Sequence, residues 1–391
     1  MTGMDIEAVL TRGVEQVLPS KKGLADLMTK RKITLYQGFD PTSTKLHIGH
    51  MVAFRKLRQF QALGHRVIFL IGDGTGQAGD PSGKSKTRDK FMTREELRKN
   101  ARNYMKLAGK ILDFEGKNPV VMKYNSEWLN KLGLVEILGI AENFSVQQLI
   151  ERDMFQKRIK NEVTINLREF LYPLLQGYDS VAMGVDLEIG GSDQMFNMMA
   201  GRTLMKNMVR KEKYVLTTKL LTDPQGAKMG KTEGNAVNLD DKPEEIYGKV
   251  MAMGDSMLAD AIEILTDLPI SLIDKKGPME AKKALAKDIV NQLHGEALAV
   301  KAEKYFEETF QKGEVPTEMK TVRVSEREMA ILDLVFETGE TSSRSEAKRL
   351  IKEGAVDVDG MTIQDPQANL DIDGGVTLKI GKKTFVKVEM Q

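Results

Sequence analysis

Two histidines three positions apart, His47 and His50, enclose Ile48 and Gly49 shortly after the run LYQGFDPT that ends at Thr42. From Ile48 onward apolar residues return at helical spacing, through Phe54 and Leu57. The pair therefore falls at a helix start, where free N–H groups and the positive end of the dipole attract anions. There His47 and His50 can donate to phosphate oxygens and a ribose hydroxyl, and Gly49 leaves room for a flat purine against the backbone. The ligand this describes is ATP. Metal binding is the rival chemistry, but the chain has no cysteine and no third ligand stands nearby. Two solvated histidines at a helix start are the plain alternative.

Other reactive side chains cluster at intervals. Tyr172, Gln176 and Asp179 recur at spacings of four and three, which puts them on one helix face. The plain alternative is a core tyrosine beside two solvated groups. The glycine turn 190–194 ends in Asp193 and Gln194. A loop from Thr222 to Asn235 carries Lys228 and Lys231, flexible cations able to follow phosphate charge, or else a solvated basic turn. Gly74 to Gly79 satisfies G-x-G-x-x-G, but Asp80-Pro81 interrupts where a crossover helix should begin, and a helix stands where a strand ending in an acid should follow. Gly79 to Ser85 falls one residue short of a P-loop, so a phosphate-binding loop stays open and a Walker A loop does not.

The elements that must position these groups alternate between strand and helix. Ile33–Phe39 reads as a buried strand closed by Pro41 and Thr42, and 66–73 (RVIFLIGD) as a strand covered on both faces. With the helix between them they form a βαβ unit. A helix follows over 93–112, a strand over 120–123, helical pieces over 125–134, 138–142 and 145–153, and a strand over 186–189. Three strand ends can then converge: Asp40, the 73–80 loop and Asp193. Ahead of the first strand, Ile6, Val9, Leu10, Val14, Val17 and Leu18 have the spacing of a packing helix. Residues 243–311 are helical almost throughout, and 313–320 reads as a linker. Ser325 with Glu328, and Ser343 with Glu346, form capping boxes that begin two short helices. A hairpin at Asp359-Gly360 and a strand over 376–380 complete a small α/β module.

The expected architecture is α/β. A Rossmann-like parallel-sheet domain spans 1–225 with a helical insert at about 125–185, a loop and all-helical domain span 226–320, and a small module spans 321–391. A net charge of +2 means that any contact with nucleic acid must come from a local basic face. The helix with Arg344, Lys348 and Lys352 four apart and Arg349 beside them supplies one, a phosphate-binding face or merely a solvated one. Without cysteine, disulfides and thiolate metal sites are excluded. No charged-then-apolar leader or long apolar run is visible, so a soluble cytoplasmic protein is expected.

His47-Ile-Gly-His50 and Lys228-Met-Gly-Lys-Thr232 in this order resemble the two signatures of class I aminoacyl-tRNA synthetases. Together with LYQGFDPT, GDPSGK, YPLLQGYD and GGSDQ, the chain is most similar to the bacterial tyrosyl-tRNA synthetase family, and its tail resembles the S-four-type RNA-binding domain. The resemblance implies that Tyr36 and Asp179 bond a phenol hydroxyl and that Tyr172, Gln176 and Asp80 hold an α-ammonium. A cation needs acceptors, and a buried hydroxyl needs both a donor and an acceptor. It further implies ribose on Asp193 and His50, the α-phosphate near Gln194, and ATP against Gly38, Asp40, Gly49 and Gly191. The γ-phosphate falls to Thr42 and His47, and pyrophosphate to Lys84, Arg88, Lys228, Lys231 and Thr232. ATP enters as a substrate, Mg2+ accompanies its phosphates, and no structural metal is implied. The implied partners are tRNA(Tyr), L-tyrosine, ATP and a second copy of the chain through helices at about 125–170, with neither DNA nor membrane.

Four positions depart from the family pattern. Gly230 replaces a serine of the lysine loop, Gln37 stands where cysteine or leucine is frequent, and Met195-Phe196 replaces Trp-Gly, a change expected to alter packing only. Two other readings compete with an ATP-dependent tyrosine ligase. A non-catalytic RNA-binding paralogue would need neither the ATP turn nor the lysines. A tryptophanyl enzyme would have no phenol to pair with Tyr36 and Asp179.

Overall fold

The computed structural model describes residues 5–82, 84, 86, 91–222, 236–311, 319–381 and 384–390. Arg88, Lys228, Lys231 and Thr232, the departure at Gly230, most of the phosphate-loop candidate beyond Ser82 and most of the linker at 313–320 lie outside the described residues. The chain forms two units, 1–299 and 300–391.

In the first unit a six-stranded sheet is built from β1 (Val14–Leu18), β2 (Thr34–Phe39), β3 (Arg66–Ile71), β4 (Val121–Tyr124), β5 (Leu187–Gly191) and β6 (Tyr214–Thr218), in the order β1-β6-β5-β2-β3-β4. All neighbours run parallel except β1, which pairs antiparallel with β6. β2 runs in register with β3 from Thr34 opposite Arg66 to Phe39 opposite Ile71, while Tyr36 faces Glu188 on its other side. The continuous apolar run of β3 is buried from Val67 to Ile71, as a strand covered on both faces requires. The helix Ile48–Ala62 crosses between β2 and β3 and buries Met51, Phe54, Leu57 and Phe60. Phe39 and Phe69 stack at 4.4 Å between ring centroids, with Phe54 against both.

Strand order proceeds outward from β2 through β3 and β4 on one side, and through β5 and β6 on the other. The direction of winding therefore reverses between β2 and β5. In an open parallel sheet, ligands bind beyond the strand ends at such a point.

The amino-terminal segment corrects one expectation. A single helix over 6–18 does not form: the helix stops at Thr11, and Val14–Leu18 is an edge strand. Gly13 explains the break, with φ at +65° and Ile264 Cγ2 3.2 Å from where a Cβ would stand. The helix from Arg94 begins as expected, in a capping box of Thr93 and Glu96, and the 243–311 stretch is helical over Pro243–Met251, Leu258–Leu265, Leu272–His294 with a break at Gly277, and Glu296–Phe306. Among the described residues, no helix is long and apolar enough to cross a membrane.

The second unit contains a five-stranded sheet of Met361–Thr362, Val356–Val358, Val376–Ile380, Thr384–Met390 and Lys320–Val324, in that spatial order. Its helices Ile331–Glu337 and Arg344–Lys352 bury Ile331, Leu334, Val335, Ala347 and Ile351 in one core with Leu378 and Val386. The hairpin turns at Asp359 and Gly360, both at positive φ. Ser343 caps its helix, although Glu346 closes back onto the backbone N–H of Ser342 rather than of Ser343. The box expected at Ser325 is not a helix start. Glu328–Ala330 is a strand paired with Asn369–Asp371, and the helix begins only at Ile331. Backbone pairing across some 40 residues outweighs the local cap there.

Candidate active site

His47 is the N-cap of the helix Ile48–Ala62, and both imidazoles are used in the cap. His47 Nδ1 accepts from the Gly49 N–H (3.2 Å), and His50 Nδ1 accepts from the His47 N–H (3.2 Å). With Nδ1 accepting, the proton of neutral His47 sits on Nε2, whereas His50 Nδ1 also lies 3.3 Å from the His47 carbonyl, so that nitrogen has a partner whichever tautomer the ring adopts. Burial, with the neighbouring His47 second, pushes His50 down to about 3, and burial lowers His47 as well. Both rings are thus neutral donors at neutral pH. The segment after the lysine loop is stitched to this turn: Ile48 N–H donates to the Val237 carbonyl and Leu239 N–H to that of Leu46, at 2.9 Å each. The histidine turn and the segment that follows the lysine loop, some 190 residues apart, are therefore joined by backbone pairing.

Two cavities open at the winding reversal. The smaller, about 260 Å³, is bounded by His47, Gly49, His50, Gly191 and Asp193. The larger, about 400 Å³, lies over the ends of β2 and β5 and takes in Tyr36, Gly38, Asp40, Thr42, Asp80, Lys84, Tyr172, Gln176, Asp179 and Gln194. Gln37, Phe39, His50 and Asp193 border both. Every expected small-molecule site residue that falls among the described residues therefore meets in one crevice. Gln37 Oε1 is buried there with no hydrogen-bond partner.

In the larger cavity acceptors dominate. Asp40 accepts from Thr75 Oγ1 (2.7 Å) and from the Tyr172 hydroxyl (2.9 Å). Its approach depends on Gly72, where a Cβ would lie 1.9 Å from Asp40 Oδ1. Burial raises the Asp40 carboxyl to about 6; the donated bonds oppose the rise and nearby Asp80 adds to it. Asp80 accepts from Gln194 Nε2 at 2.9 Å. Asp179 accepts from Asn125 Nδ2 (3.1 Å) and Trp128 Nε1 (2.7 Å), and burial pushes it well above the usual carboxylate range. The hydroxyl of Tyr36, wholly buried, lies 2.9 Å from Ser180 Oγ. Tyr172, Gln176 and Asp179 all come from the helix Leu167–Met183, one face of which lines the cavity.

Several contributors lie outside the residues expected from the sequence. Asn125 and Trp128 hold Asp179, Thr75 holds Asp40, and Ser82 lines the larger cavity. Asn125 and Trp128 follow β4 directly, and the end of a parallel strand was itself the signal that could have drawn them in. Phe196 does more than alter packing: the Arg152 guanidinium lies 4.5 Å over its ring, and Arg152 Nη2 donates to Ser82 Oγ (3.1 Å). Arg344, Lys348, Arg349 and Lys352 share their helix in the second unit. There Arg344 pairs with Asp333 and Arg349 with Glu353, while Lys348 and Lys352 are exposed.

The sheet order, the crevice at its reversal and the paired signatures define a class. The chain belongs to the class I tRNA synthetases: the family described as tRNA synthetases class I (W and Y) matches residues 28–311. Residues 310–388 match the family described as the tyrosine-tRNA ligase SYY-like C-terminal domain. Two relatives that match over nearly the whole chain carry the name tyrosine-tRNA ligase. That of Haemophilus ducreyi is 41% identical, with 99% of each chain covered, and that of Thermotoga maritima 38%, with 99% of this chain and 98% of the relative covered. A C-terminally truncated mitochondrial tyrosyl-tRNA synthetase of Aspergillus nidulans superposes with a TM-score of 0.66 at 26% identity, over 78% of this chain and 94% of that one.

Proposed function

We propose that this chain is an ATP-dependent tyrosine ligase that charges tRNA(Tyr) in two steps. The carboxylate of L-tyrosine attacks the α-phosphorus of ATP in line, giving tyrosyl-adenylate and pyrophosphate. The 3′-terminal adenosine of the tRNA then takes the tyrosyl group and AMP leaves. The observation that carries this reading is the shared border of the two cavities, which would bring the nucleotide and the amino acid within reach of each other.

Tyrosine occupies the larger cavity, its phenol on Tyr36 and Asp179 and its ammonium among Tyr172, Gln176 and Asp80. ATP lies against Gly38, Asp40, Gly49 and Gly191, with its ribose on Asp193 and His50 and its phosphates toward Thr42, His47, Lys84 and Gln194. Arg88, Lys228, Lys231 and Thr232 complete the charge around the pyrophosphate. No residue is needed as nucleophile or base, since acceleration comes from alignment and from charge stabilisation on the leaving group. Magnesium enters with the ATP phosphates as part of that substrate.

The basic face of the helix Arg344–Lys352 takes the tRNA backbone. A second copy of the chain covers the apolar side chains left open on the helical insert, among them Leu134 and Val135, which are 72% and 79% exposed. The substrates belong to the cytoplasm, and we place the enzyme there. The test is ATP-pyrophosphate exchange with each of the twenty amino acids. Exchange with tyrosine is expected; exchange with tryptophan alone, or with none, overturns the proposal.

A further inference from the structure

In the wall of the larger cavity, which Glu188 itself lines, stands an ion pair to which the two chemical steps assign no role. Glu188 on β5 and Lys213, just ahead of β6, are 2% and 0% exposed at their side chains. The ammonium of Lys213 donates to the Glu188 carboxylate, to Ser180 Oγ at 2.9 Å and to the Met198 carbonyl at 3.1 Å. Its three donors thus meet three acceptors. Buried pairs of this kind seldom stabilise a fold more than apolar residues of equal volume would. The geometry around the pair offers another reason for it.

The second oxygen of Glu188 accepts from Gln176 Nε2 at 3.0 Å. A carboxylate accepts and cannot donate, so it must hold the Gln176 amide by its NH2 end. The oxygen of that amide is then the end turned away from Glu188. Gln176 Oε1 is buried without any hydrogen-bond partner, and its side chain borders the cavity. An unpaired buried acceptor is costly until something donates to it. Lys213 completes the arrangement, because an ammonium donates only and so keeps its partner at position 188 an acceptor on that side.

We infer that Glu188 and Lys213 are positioning residues that fix the polarity of the Gln176 amide, so that its oxygen receives the α-ammonium of the amino-acid substrate. This rests on the placement of tyrosine in the larger cavity. Neither residue touches the substrate's reacting atoms. Their effect is on which end of one amide faces it.

Glu188→Gln makes the relation visible. Lys213 would hold the new amide by its oxygen, the NH2 of residue 188 would face Gln176, and Gln176 would turn to present its own NH2 to the cavity. A donor would then oppose the substrate ammonium. Isothermal titration calorimetry on the full chain should show tyrosine binding weakened by about 10- to 100-fold, the range for a lost hydrogen bond to a charged group. Binding of 3-(4-hydroxyphenyl)propionate, which keeps the phenol and carboxylate but lacks the ammonium, should change less than about twofold, as should the KM for ATP.

In Glu188→Gln with Lys213→Met the orienting cation is gone, Gln176 takes its native orientation for only part of the time, and tyrosine affinity should recover at least threefold over the single variant without reaching that of the wild type. Should the single variant not fold, the double variant, which buries no charge, carries the comparison: tyrosine weaker than wild type, the analogue unchanged. Equal weakening of both ligands, or unchanged tyrosine affinity in a folded variant, overturns the inference and leaves the proposed function standing. A wild-type chain without tyrosine-dependent exchange overturns both.

Discussion

The hydroxyl of Tyr172 donates to Asp40 over 2.9 Å, tying the middle of the helix Leu167–Met183 to the end of β2 across 132 residues of sequence. Burial keeps the Asp40 carboxyl near 6 against an ordinary 3.8. Between these values the folded chain holds a proton that the unfolded chain has released. Stability from this group therefore falls as pH rises from about 4 to 6 and stays reduced above. Asp40→Asn should raise stability at pH 8 by on the order of 2 kcal/mol, with the gain vanishing below about pH 4. Urea denaturation at both pH values checks this, and tyrosine activation should fall in the same variant.

Asp179 is held by Asn125 and Trp128 from one side, and its carboxyl has been assigned the phenol of the substrate. Asp179→Ala should leave the far-ultraviolet circular dichroism unchanged and bring tyrosine-dependent exchange below about 1% of wild type, since the substrate hydroxyl would be buried without an acceptor. Unchanged exchange would mean that the pocket is misassigned.

His50 is neutral at working pH. Nitrogen chemical shifts of the ring should report a neutral imidazole from pH 8 down to about pH 5, with no titration in between. His50→Ala removes one neutral donor, and the activation rate should drop by about 3- to 10-fold.

On the helix Arg344–Lys352 the two arginines are already paired with acids, whereas Lys348 and Lys352 are exposed four residues apart. Replacing both lysines with alanine should leave ATP-pyrophosphate exchange intact and raise the KM for tRNA in aminoacylation. The dependence of log affinity on log salt should lose about two units of slope.

Leu134 and Leu138 stand open on the helix Leu134–Ala141, in the insert assigned to a second copy. Leu134→Glu with Leu138→Glu should convert a dimer into monomers in sedimentation velocity. A wild-type chain that sediments as a monomer at micromolar concentration would remove the proposed interface.

Much of the site was readable from residues because the punctuation is local. Pro41 and Thr42 end a strand, Gly49 opens a helix, and a four-three spacing aligns Tyr172, Gln176 and Asp179. What stayed hidden depends on partners distant in the chain. Val14, Val17 and Leu18 fit a helical spacing as well as a strand, and the choice is made by pairing with β6 some 200 residues on. Ser325 and Glu328 satisfy a capping pattern that a strand around Leu370 overrides. Glu188 and Lys213 look like ordinary charges beside apolar runs, and only the sheet brings their side chains together.

Trp128 is the only tryptophan in the chain, and its indole N–H ends on the carboxylate assigned to the substrate phenol. The fluorescence of the intact enzyme under 295 nm excitation is therefore a local signal, emitted beside the buried carboxylate at the phenol end of the amino-acid pocket. No label is needed to follow tyrosine entering or leaving it in a stopped-flow instrument.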